Sequence, residues 1–308
     1  MKLKRRELIK WGAGASLLAV GGGLGKVMAA EPDIHQTTIP SSGQKVPSVG
    51  IGTVDFRGAT DSDAMTPLRQ TLEIFHQQGG RVIDTSPNYG NSEEVLGYLL
   101  DGMGLRDDVF MATKVDRENA ADGIDRMESS FERLGPPIDL MQVHNLRGTD
   151  KQLETMLAWK KEGRFSYVGV TTHRDEQHAE VEQIMRRYPL DFVQVNYSIA
   201  DREAAERLLP LAQDRGVAVL VNRPFGDGRL FGAVRGIALP EWAVEIDAES
   251  WGQVFLKYIL SHPAATIPIP GTTKPHHARD NMGAMRGRLP DAVLRREMER
   301  SIDGLLGS

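Results

Sequence analysis

Four polar residues have the types and the spacing to carry acid–base chemistry. Asp84 closes the apolar run RVID, and Tyr89 comes five residues later. Lys114 and His144 each lie at the end of a later apolar run. A neighbouring ammonium stabilises the phenolate that remains when a phenol gives up its proton, and a carboxylate can hold that ammonium in place. With an imidazole to orient a substrate oxygen, such a set could protonate a carbonyl group whose carbon receives a hydride.

The elements that must position these residues alternate regularly along the chain. From residue 34 onward a short hairpin precedes a series of apolar runs, each followed by a stretch with helical periodicity. The predicted strands cover residues 49–54, 81–86, 108–115, 138–144, 165–172, 191–198, 217–222 and 265–271. The predicted helices lie near residues 63–78, 92–100, 121–134, 150–162, 175–187, 203–215, 249–261, 275–284 and 290–304, with a long loop over 224–248.

Eight strand–helix units predict a closed parallel barrel. Strand runs that are apolar at nearly every position indicate burial on both faces. Eight such units in about 250 residues favour a (β/α)8 TIM barrel over an open sheet. We therefore predict one barrel domain over residues 31–308, with a short N-terminal β-hairpin. The chemistry of such barrels lies at the carboxyl ends of the strands, where the chain places Asp84, Lys114, His144, Thr171, Thr172, Gln194, Asn196 and Asn222.

The stretch around Asp84 and Tyr89 resembles a known signature. The segment IDTSPNYGNSEEVLG, followed by ATKV and LMQVH, is similar to the signature of the aldo-keto reductases, and the resemblance covers roughly residues 34–285. It implies an NAD(P)H-dependent oxidoreductase that reduces an aldehyde or ketone to an alcohol by hydride transfer. In this family Tyr89 would be the general acid, and Asp84, Lys114 and His144 would complete the catalytic set.

The resemblance also implies where a nicotinamide cofactor binds. No GxGxxG segment opens a helix, so a Rossmann fold is not expected. Gly271 to Lys274 instead lead into a predicted helix, whose N-terminal amides suit a phosphate group. Lys274 could meet a 2′-phosphate, which favours NADPH; NADH is possible because His277 stands where many relatives carry an arginine. The expected cofactor contacts are Gly52, Thr53, Asp84, Thr171, Thr172, Gln194, Arg223, Gly271, Thr272, Thr273, Lys274, Asp280 and Asn281.

Two segments depart from the family pattern. Thr171 and Thr172 stand where many relatives carry Ser-Asn, and a threonine cannot imitate the amide of an asparagine. Asn222 and Arg223, followed by Pro-Phe, replace the more usual aromatic-Ser-Pro-Leu. We expect Arg223 to stack on the nicotinamide face, since a guanidinium group is planar.

Two other functions are compatible with the same fold. One is a cofactor-binding sensory or regulatory protein with little turnover. The complete set of four acid–base residues argues against this function. The other is an isomerase or lyase barrel, which commonly carries a carboxylate metal site or a phosphate cup. The spacing of His, Asp and Glu predicts no metal site. The sequence contains no cysteine, which excludes disulfides and thiolate nucleophiles.

The first 30 residues have the order of an export signal. Residues 2–10 are basic, residues 11–25 are uncharged, and residues 27–30 end in small side chains. The pair Arg5-Arg6 resembles the twin-arginine motif. We expect residues 1–30 to be a twin-arginine-type signal peptide, the export machinery to be a partner, and the barrel to be periplasmic or otherwise exported. The uncharged run is shorter than the roughly 20 residues that span a bilayer, so no stable membrane insertion is expected after processing.

The charge of the remaining chain argues against a nucleic-acid surface. The first 30 residues hold six basic side chains and one acidic one, which leaves 31 basic and 41 acidic side chains in the remainder. An acidic surface does not attract a phosphate backbone, so we expect no nucleic acid as a partner. The resemblance to the aldo-keto reductases implies a small carbonyl substrate. Composition alone leaves the oligomeric state open.

Native mass spectrometry of the exported protein tests the signal and the cofactor together. We expect a mass lowered by the loss of residues 1–30 and raised by a retained dinucleotide, because twin-arginine substrates cross the membrane folded. A denaturing spectrum is the control, since it releases any non-covalent ligand. An unprocessed mass would instead make residues 1–30 an uncleaved amphiphilic tail or anchor.

Overall fold

Strands and helices alternate along residues 34–307, the part of the chain that the computed structural model describes. The strands are β1 Gln36–Thr38, β2 Lys45–Pro47, β3 Ile51–Gly52, β4 Val82–Asp84, β5 Phe110–Val115, β6 Leu140–His144, β7 Tyr167–Thr171, β8 Phe192–Asn196, β9 Ala218–Asn222 and β10 Thr266–Pro268. The helices are α1 Met65–Gln77, α2 Ser92–Met103, α3 Ala120–Leu134, α4 Thr149–Lys161, α5 His178–Arg187, α6 Ala204–Arg215, α7 Arg229–Ala233, α8 Trp251–Leu260, α9 Pro275–Gly283 and α10 Ala292–Leu306. The predicted export signal lies outside the described residues.

Strands β3 to β10 form one parallel sheet in the order of the chain, and the sheet closes on itself. The backbone N–H of Gly50 donates to the Pro268 oxygen at 2.9 Å, and that of Gly52 donates to the Pro270 oxygen at 3.2 Å. A Cβ on Gly52 would lie only 2.9 Å from the Ile269 oxygen, so glycine permits this close approach. The predicted (β/α)8 barrel is confirmed.

The strands are buried on both faces, as their nearly continuous apolar sequences predict. One face packs against the surrounding helices in the larger core cluster. The other face fills the barrel interior, and the residues near the strand starts form its lowest layer: Val82, Phe110, Leu140, Tyr167, Phe192, Ala218 and Ile267. None of the helices within residues 34–307 is long and apolar enough to cross a membrane.

The predicted N-terminal hairpin covers the amino end of the barrel. Strands β1 and β2 pair antiparallel, and Ile39 and Val46 pack on the lowest interior layer, with 0% and 3% of their surface exposed. The Thr37 hydroxyl donates to the backbone oxygen of Thr266 at 3.0 Å. Because the hairpin seals this end, a ligand reaches the interior from the carboxyl ends of the strands.

The segment 224–248 is more ordered than predicted. It contains helix α7 and a 3-10 helix over Glu241–Ile246, so the prediction of a long loop was wrong in this part. Leu230, Trp242 and Ile246 are buried and hold the segment on the rest of the fold. The helical pieces are short, and glycines lie before, within and between them, which hides their periodicity in the sequence.

Gly97→Ala should destabilise the protein, because Gly97 of α2 packs directly on the end of α3. A Cβ there would lie 2.0 Å from the backbone oxygen of Arg133, and overpacking of this kind costs about 1–3 kcal/mol. Gly102→Ala in the same helix is the control: its Cβ meets only the Arg69 side chain, at 3.5 Å. There alanine should stabilise by about 0.5–1 kcal/mol. The measurement is the free energy of unfolding of both variants in denaturant. Equal free energies of unfolding would contradict the close packing of Gly97 on the end of α3.

Candidate active site

The four predicted acid–base residues meet at the carboxyl end of the barrel. Asp84 and His144 are the last residues of β4 and β6, and Lys114 is the penultimate residue of β5. Tyr89 lies in the loop between β4 and α2. Asp84, Lys114 and His144 are buried, whereas Tyr89 is half-buried and lines a cleft. Parallel strands end at one edge of a barrel, so residues far apart in sequence share one site.

A buried ion pair organises this site. Lys114 Nζ donates to Asp84 Oδ2 at 2.7 Å and to the Thr85 backbone oxygen at 2.7 Å. Nζ also lies 5.1 Å from the centre of the Tyr89 ring. Burial lowers the pKa of Lys114, but the Asp84 and Tyr89 side chains raise it by more, so the pKa lies above its ordinary value. Lys114 is therefore an ammonium ion beside the phenol at neutral pH.

Asp84 is held through both carboxylate oxygens. Oδ2 accepts from Lys114, and Oδ1 accepts from Gln142 Nε2 at 3.4 Å. Gln142 is fully buried and pairs with Lys114 in the β5–β6 register. It precedes His144 by two residues, so both point to the same face of β6. Gln142 was not among the predicted site residues, although a polar residue inside the apolar run LMQVH was a signal for it.

The imidazole of His144 lies between Tyr89 and Ser86. The His144 and Tyr89 ring centres are 6.1 Å apart with their planes at 88°. His144 Nδ1 is 3.1 Å from Ser86 Oγ. Burial, and then the positive charge of Lys114, lowers the pKa of His144 to about 3, so the ring is neutral at neutral pH. A neutral imidazole donates from one ring nitrogen and accepts at the other. Ser86, like Gln142, was not predicted.

The loop that carries Tyr89 is held by side-chain amides on both sides. Asn88 Nδ2 donates to Asp116 Oδ2 at 2.6 Å. Asn91 Nδ2 donates to the Gly58 oxygen at 2.7 Å, and the Gly58 N–H donates back to Asn91 Oδ1 at 3.2 Å. These bonds tie the loop to the segments after β5 and β3, so the phenol has a defined place above Lys114.

A cleft of about 540 Å³ opens beside Tyr89, and a second cavity of about 480 Å³ shares Phe225, Phe231 and Gly271 with it. A wider groove of about 760 Å³ lies along α4 and contains none of the predicted site residues. Of the predicted cofactor contacts, the cleft is lined by Gly52, Thr53, Asp84, Arg223 and Gly271. The second cavity is lined by Gly271, Thr272, Asp280 and Asn281.

The other predicted cofactor contacts lie on or just after β7 and β8 and before α9. Thr171 ends β7, Thr172 follows it directly, and Gln194 is the middle residue of β8; all three are buried. Thr273 is half-buried and Lys274 is exposed, directly ahead of α9. The roles of these residues toward a cofactor stay predictions.

The side-chain oxygen of Gln194 is a buried hydrogen-bond acceptor without a donor among residues 34–307. Its Nε2 donates to Asn222 Oδ1 at 2.9 Å, and Asn222 Nδ2 donates to the Thr172 backbone oxygen at 3.2 Å. This series fixes the orientation of both amides and leaves Gln194 Oε1 with no hydrogen-bond partner among residues 34–307. Buried acceptors are normally satisfied. The N–H of a nicotinamide carboxamide would satisfy this one, so the residues present fit such a cofactor.

Arg223 has an unusual backbone conformation at the rim of the cleft. Its φ is +49°, and its Nε lies 3.2 Å from Asp227 Oδ2. Left-handed conformations are uncommon in residues other than glycine and cluster at functional sites. The stacking of Arg223 on a nicotinamide ring stays a prediction.

The start of α9 borders the second cavity. Thr272 Oγ1 accepts from the Lys274 N–H at 3.1 Å. Asp280 is already paired, since its oxygens accept from Gln253 Nε2 at 3.0 Å and from Ser250 Oγ at 2.8 Å. The remaining free N–H groups of a helix N-terminus suit phosphate, which is consistent with the predicted position of the dinucleotide.

The sequence of the barrel matches a family profile. Residues 48–299 match the Aldo/keto reductase family. The chain belongs to this family. It is 30% identical to aldo-keto reductase YhdN of Bacillus subtilis over 217 residues, which are 65% of this chain and only 64% of YhdN. It is 27% identical to the NADH-specific methylglyoxal reductase of Escherichia coli over 315 aligned positions, 83% of this chain and 95% of that protein.

Solved structures of aldo-keto reductases share the fold of this chain. An aldo/keto reductase from Klebsiella pneumoniae, in complex with NADP and acetate, has a TM-score of 0.71 and 25% identity, covering 88% of this chain and 95% of that one. The aldo-keto reductase resemblance inferred from the sequence is therefore confirmed, and the match extends past residue 285 into α10. This aldo-keto reductase is an oxidoreductase of the carbonyl-reducing class.

The neutral His144 predicts how the stability of this aldo-keto reductase depends on pH. Its pKa is about 3 in the fold and about 6.5 in an unfolded chain, so between these values only the unfolded chain binds the proton. Stability should therefore fall as the pH drops from about 6.5 toward 3, by at most about 1.4 kcal/mol per pH unit from this group. His144→Gln should flatten this dependence in denaturant unfolding at about pH 7 and pH 4.5.

His276→Gln, at an exposed position, is the control for that measurement. It removes a histidine without removing a buried neutral ring. The same pH slope in His144→Gln as in the unmodified protein would contradict the neutral state of His144.

Proposed function

We propose that this protein reduces an aldehyde or ketone with NADPH, with Tyr89 as the general acid. A bound nicotinamide cofactor supplies the hydride for the carbonyl carbon. The observation that carries the proposal is the position of the Lys114 ammonium, 2.7 Å from Asp84 and 5.1 Å from the centre of the Tyr89 ring. No packing requirement explains a fully buried cation beside a phenol at the edge of a cleft.

Tyr89 provides the proton that the carbonyl oxygen takes up. As the carbon becomes saturated, the oxygen gains negative charge and the phenolic proton moves to it. Lys114 stabilises the phenolate left behind, and Asp84 keeps Lys114 charged inside the barrel. General acid catalysis of this kind contributes about 10²–10⁴-fold to a rate. In reverse, the same phenolate accepts the proton of an alcohol.

His144 orients the substrate oxygen. Because the ring is neutral and its Nδ1 faces Ser86, Nε2 is the nitrogen left to donate a hydrogen bond to that oxygen. A donor aimed at the oxygen stabilises the charge that develops there. His144 therefore polarises the carbonyl group, while the proton itself comes from Tyr89.

The proposed cofactor is NADPH, with NADH possible. Gln194 Oε1 would accept from the carboxamide, and the exposed Lys274 would meet a 2′-phosphate. Burial, followed by the charges of His276 and Lys274, lowers the pKa of His277, so His277 adds no fixed charge near neutral pH. The Klebsiella pneumoniae structure with NADP supports NADPH, and the NADH-specific Escherichia coli relative supports NADH as the second possibility.

Export is part of the proposal. Residues 1–30 would act as a twin-arginine-type signal peptide and residues 31–308 as an exported, periplasmic reductase. The support is the order of basic, uncharged and small residues around Arg5-Arg6. Since nicotinamide nucleotides are not expected to be plentiful outside the cytoplasm, a cofactor that is bound before export and recycled in place would suit this location.

Tyr89→Phe tests the proton donor. We expect turnover of a panel of aldehydes and ketones to fall by about 10²–10⁴-fold at saturating NADPH, because phenylalanine keeps the ring but cannot release a proton. The variant should still bind the cofactor, and NADPH fluorescence measures this binding. The measurement is steady-state oxidation of NADPH by the purified protein.

Tyr98→Phe is the matched control, because Tyr98 is 48% exposed on α2 and lines neither cavity of the site. It should turn over like the unmodified protein. Undiminished activity in Tyr89→Phe would remove Tyr89 from the mechanism. Tight NADPH binding with no carbonyl reduced by the unmodified protein would contradict the proposed activity itself.

A further inference from the structure

The hydroxyl of Ser86 lies directly behind the catalytic imidazole. Ser86 follows Asp84 by two residues and has none of its surface exposed. Its Oγ is 3.1 Å from His144 Nδ1 and 3.1 Å from the backbone nitrogen of Asn88. These are the hydrogen bonds that Oγ makes within residues 34–307.

The direction of these two bonds follows from counting donors and acceptors. The Asn88 nitrogen carries a hydrogen, so in that bond Ser86 Oγ is the acceptor. The hydroxyl has one proton of its own to donate, and among the described residues His144 Nδ1 is the acceptor within its reach. If Nδ1 also carried a proton, two donors would point at Oγ and the buried hydroxyl proton would lack an acceptor. Such unsatisfied buried groups are costly.

We infer that Ser86 is a positioning residue that holds His144 in the tautomer with its proton on Nε2. A histidine ring chooses its tautomer by the hydrogen bond that the other nitrogen makes. Here Oγ donates to Nδ1, so Nε2 carries the proton. The hydrogen bond that His144 makes to a side chain within residues 34–307 uses Nδ1, which leaves Nε2 for a ligand.

The surroundings of His144 make the choice of tautomer matter. Its buried position and the nearby Lys114 disfavour the doubly protonated ring, so two neutral forms remain. In one form Nε2–H donates to the substrate oxygen. In the other, a lone pair on Nε2 faces the same oxygen and repels it. The effect of Ser86 on turnover therefore rests on the proposed function, whereas its effect on the tautomer does not.

Nitrogen-15 NMR of histidine-labelled protein reads the tautomer directly, because protonated and unprotonated ring nitrogens differ widely in chemical shift. The full chain is used without substrate at about pH 7, and His144→Gln identifies the His144 signals. We expect Nε2 to carry the proton in the unmodified protein. A proton on Nδ1 would overturn the inference, and the tautomer is read on the unmodified protein.

Ser86→Ala removes the donor and should give a mixture of the two neutral forms. Turnover should fall about five- to tenfold in kcat, with KM changed less, because the misplaced lone pair acts on the charge that develops during the reaction. Ser86→Thr keeps the hydroxyl and should restore both the tautomer and most of the activity. A single Nε2–H form in Ser86→Ala would overturn the inference.

Ser130→Ala is the matched control for loss of a buried serine hydroxyl. Ser130 is also fully buried, but its Oγ bonds to Glu93 and to the Arg126 backbone oxygen, away from His144. It should leave the His144 signals unchanged. If Tyr89→Phe kept full turnover while Ser86→Ala changed the tautomer, the proposed function would fail and the role of Ser86 would stand.

Discussion

A buried ammonium ion is stable only where nearby groups replace the water that it has lost, and the site depends on this condition at Lys114. Asp84, the Thr85 backbone oxygen and the Tyr89 ring surround Nζ. Removing one partner of a buried pair typically costs about 3–5 kcal/mol. The interaction that supports the proposed proton donor therefore also joins β4 to β5, so a change at Asp84 should affect both stability and the proposed chemistry.

Neutral amides do most of the orienting around this charge. Gln142 donates to the second oxygen of Asp84, and Asn222 accepts from Gln194 and so fixes the orientation of its amide. The proposed nicotinamide contact of Gln194 is therefore oriented by a neighbouring amide rather than by a charged group. Amides orient their neighbours without adding charge, which preserves the balance between Lys114 and Asp84.

The two ends of the barrel differ in their accessibility to ligands. The hairpin seals the amino end with Ile39 and Val46, and the carboxyl end stays open for ligands. Phe225 and Phe231 of the segment after β9 border both the cleft and the second cavity. Variation in this segment can thus alter the shape of both cavities without changing the residues of the ion pair.

Sequence alone was enough to predict the alternation of strands and helices, the hairpin and the positions of the four proposed acid–base residues, because burial patterns are local and strand ends are visible in the chain. The helical pieces within residues 224–248 were not predicted, since short helices in a glycine-containing segment have little periodicity. Only the tertiary structure revealed the partners: Ser86 with His144 and Gln142 with Asp84, each pair 58 residues apart, and Gln194 with Asn222, 28 residues apart. Hydrogen bonds between neighbouring strands depend on register and side-chain direction, which arise only when the barrel closes.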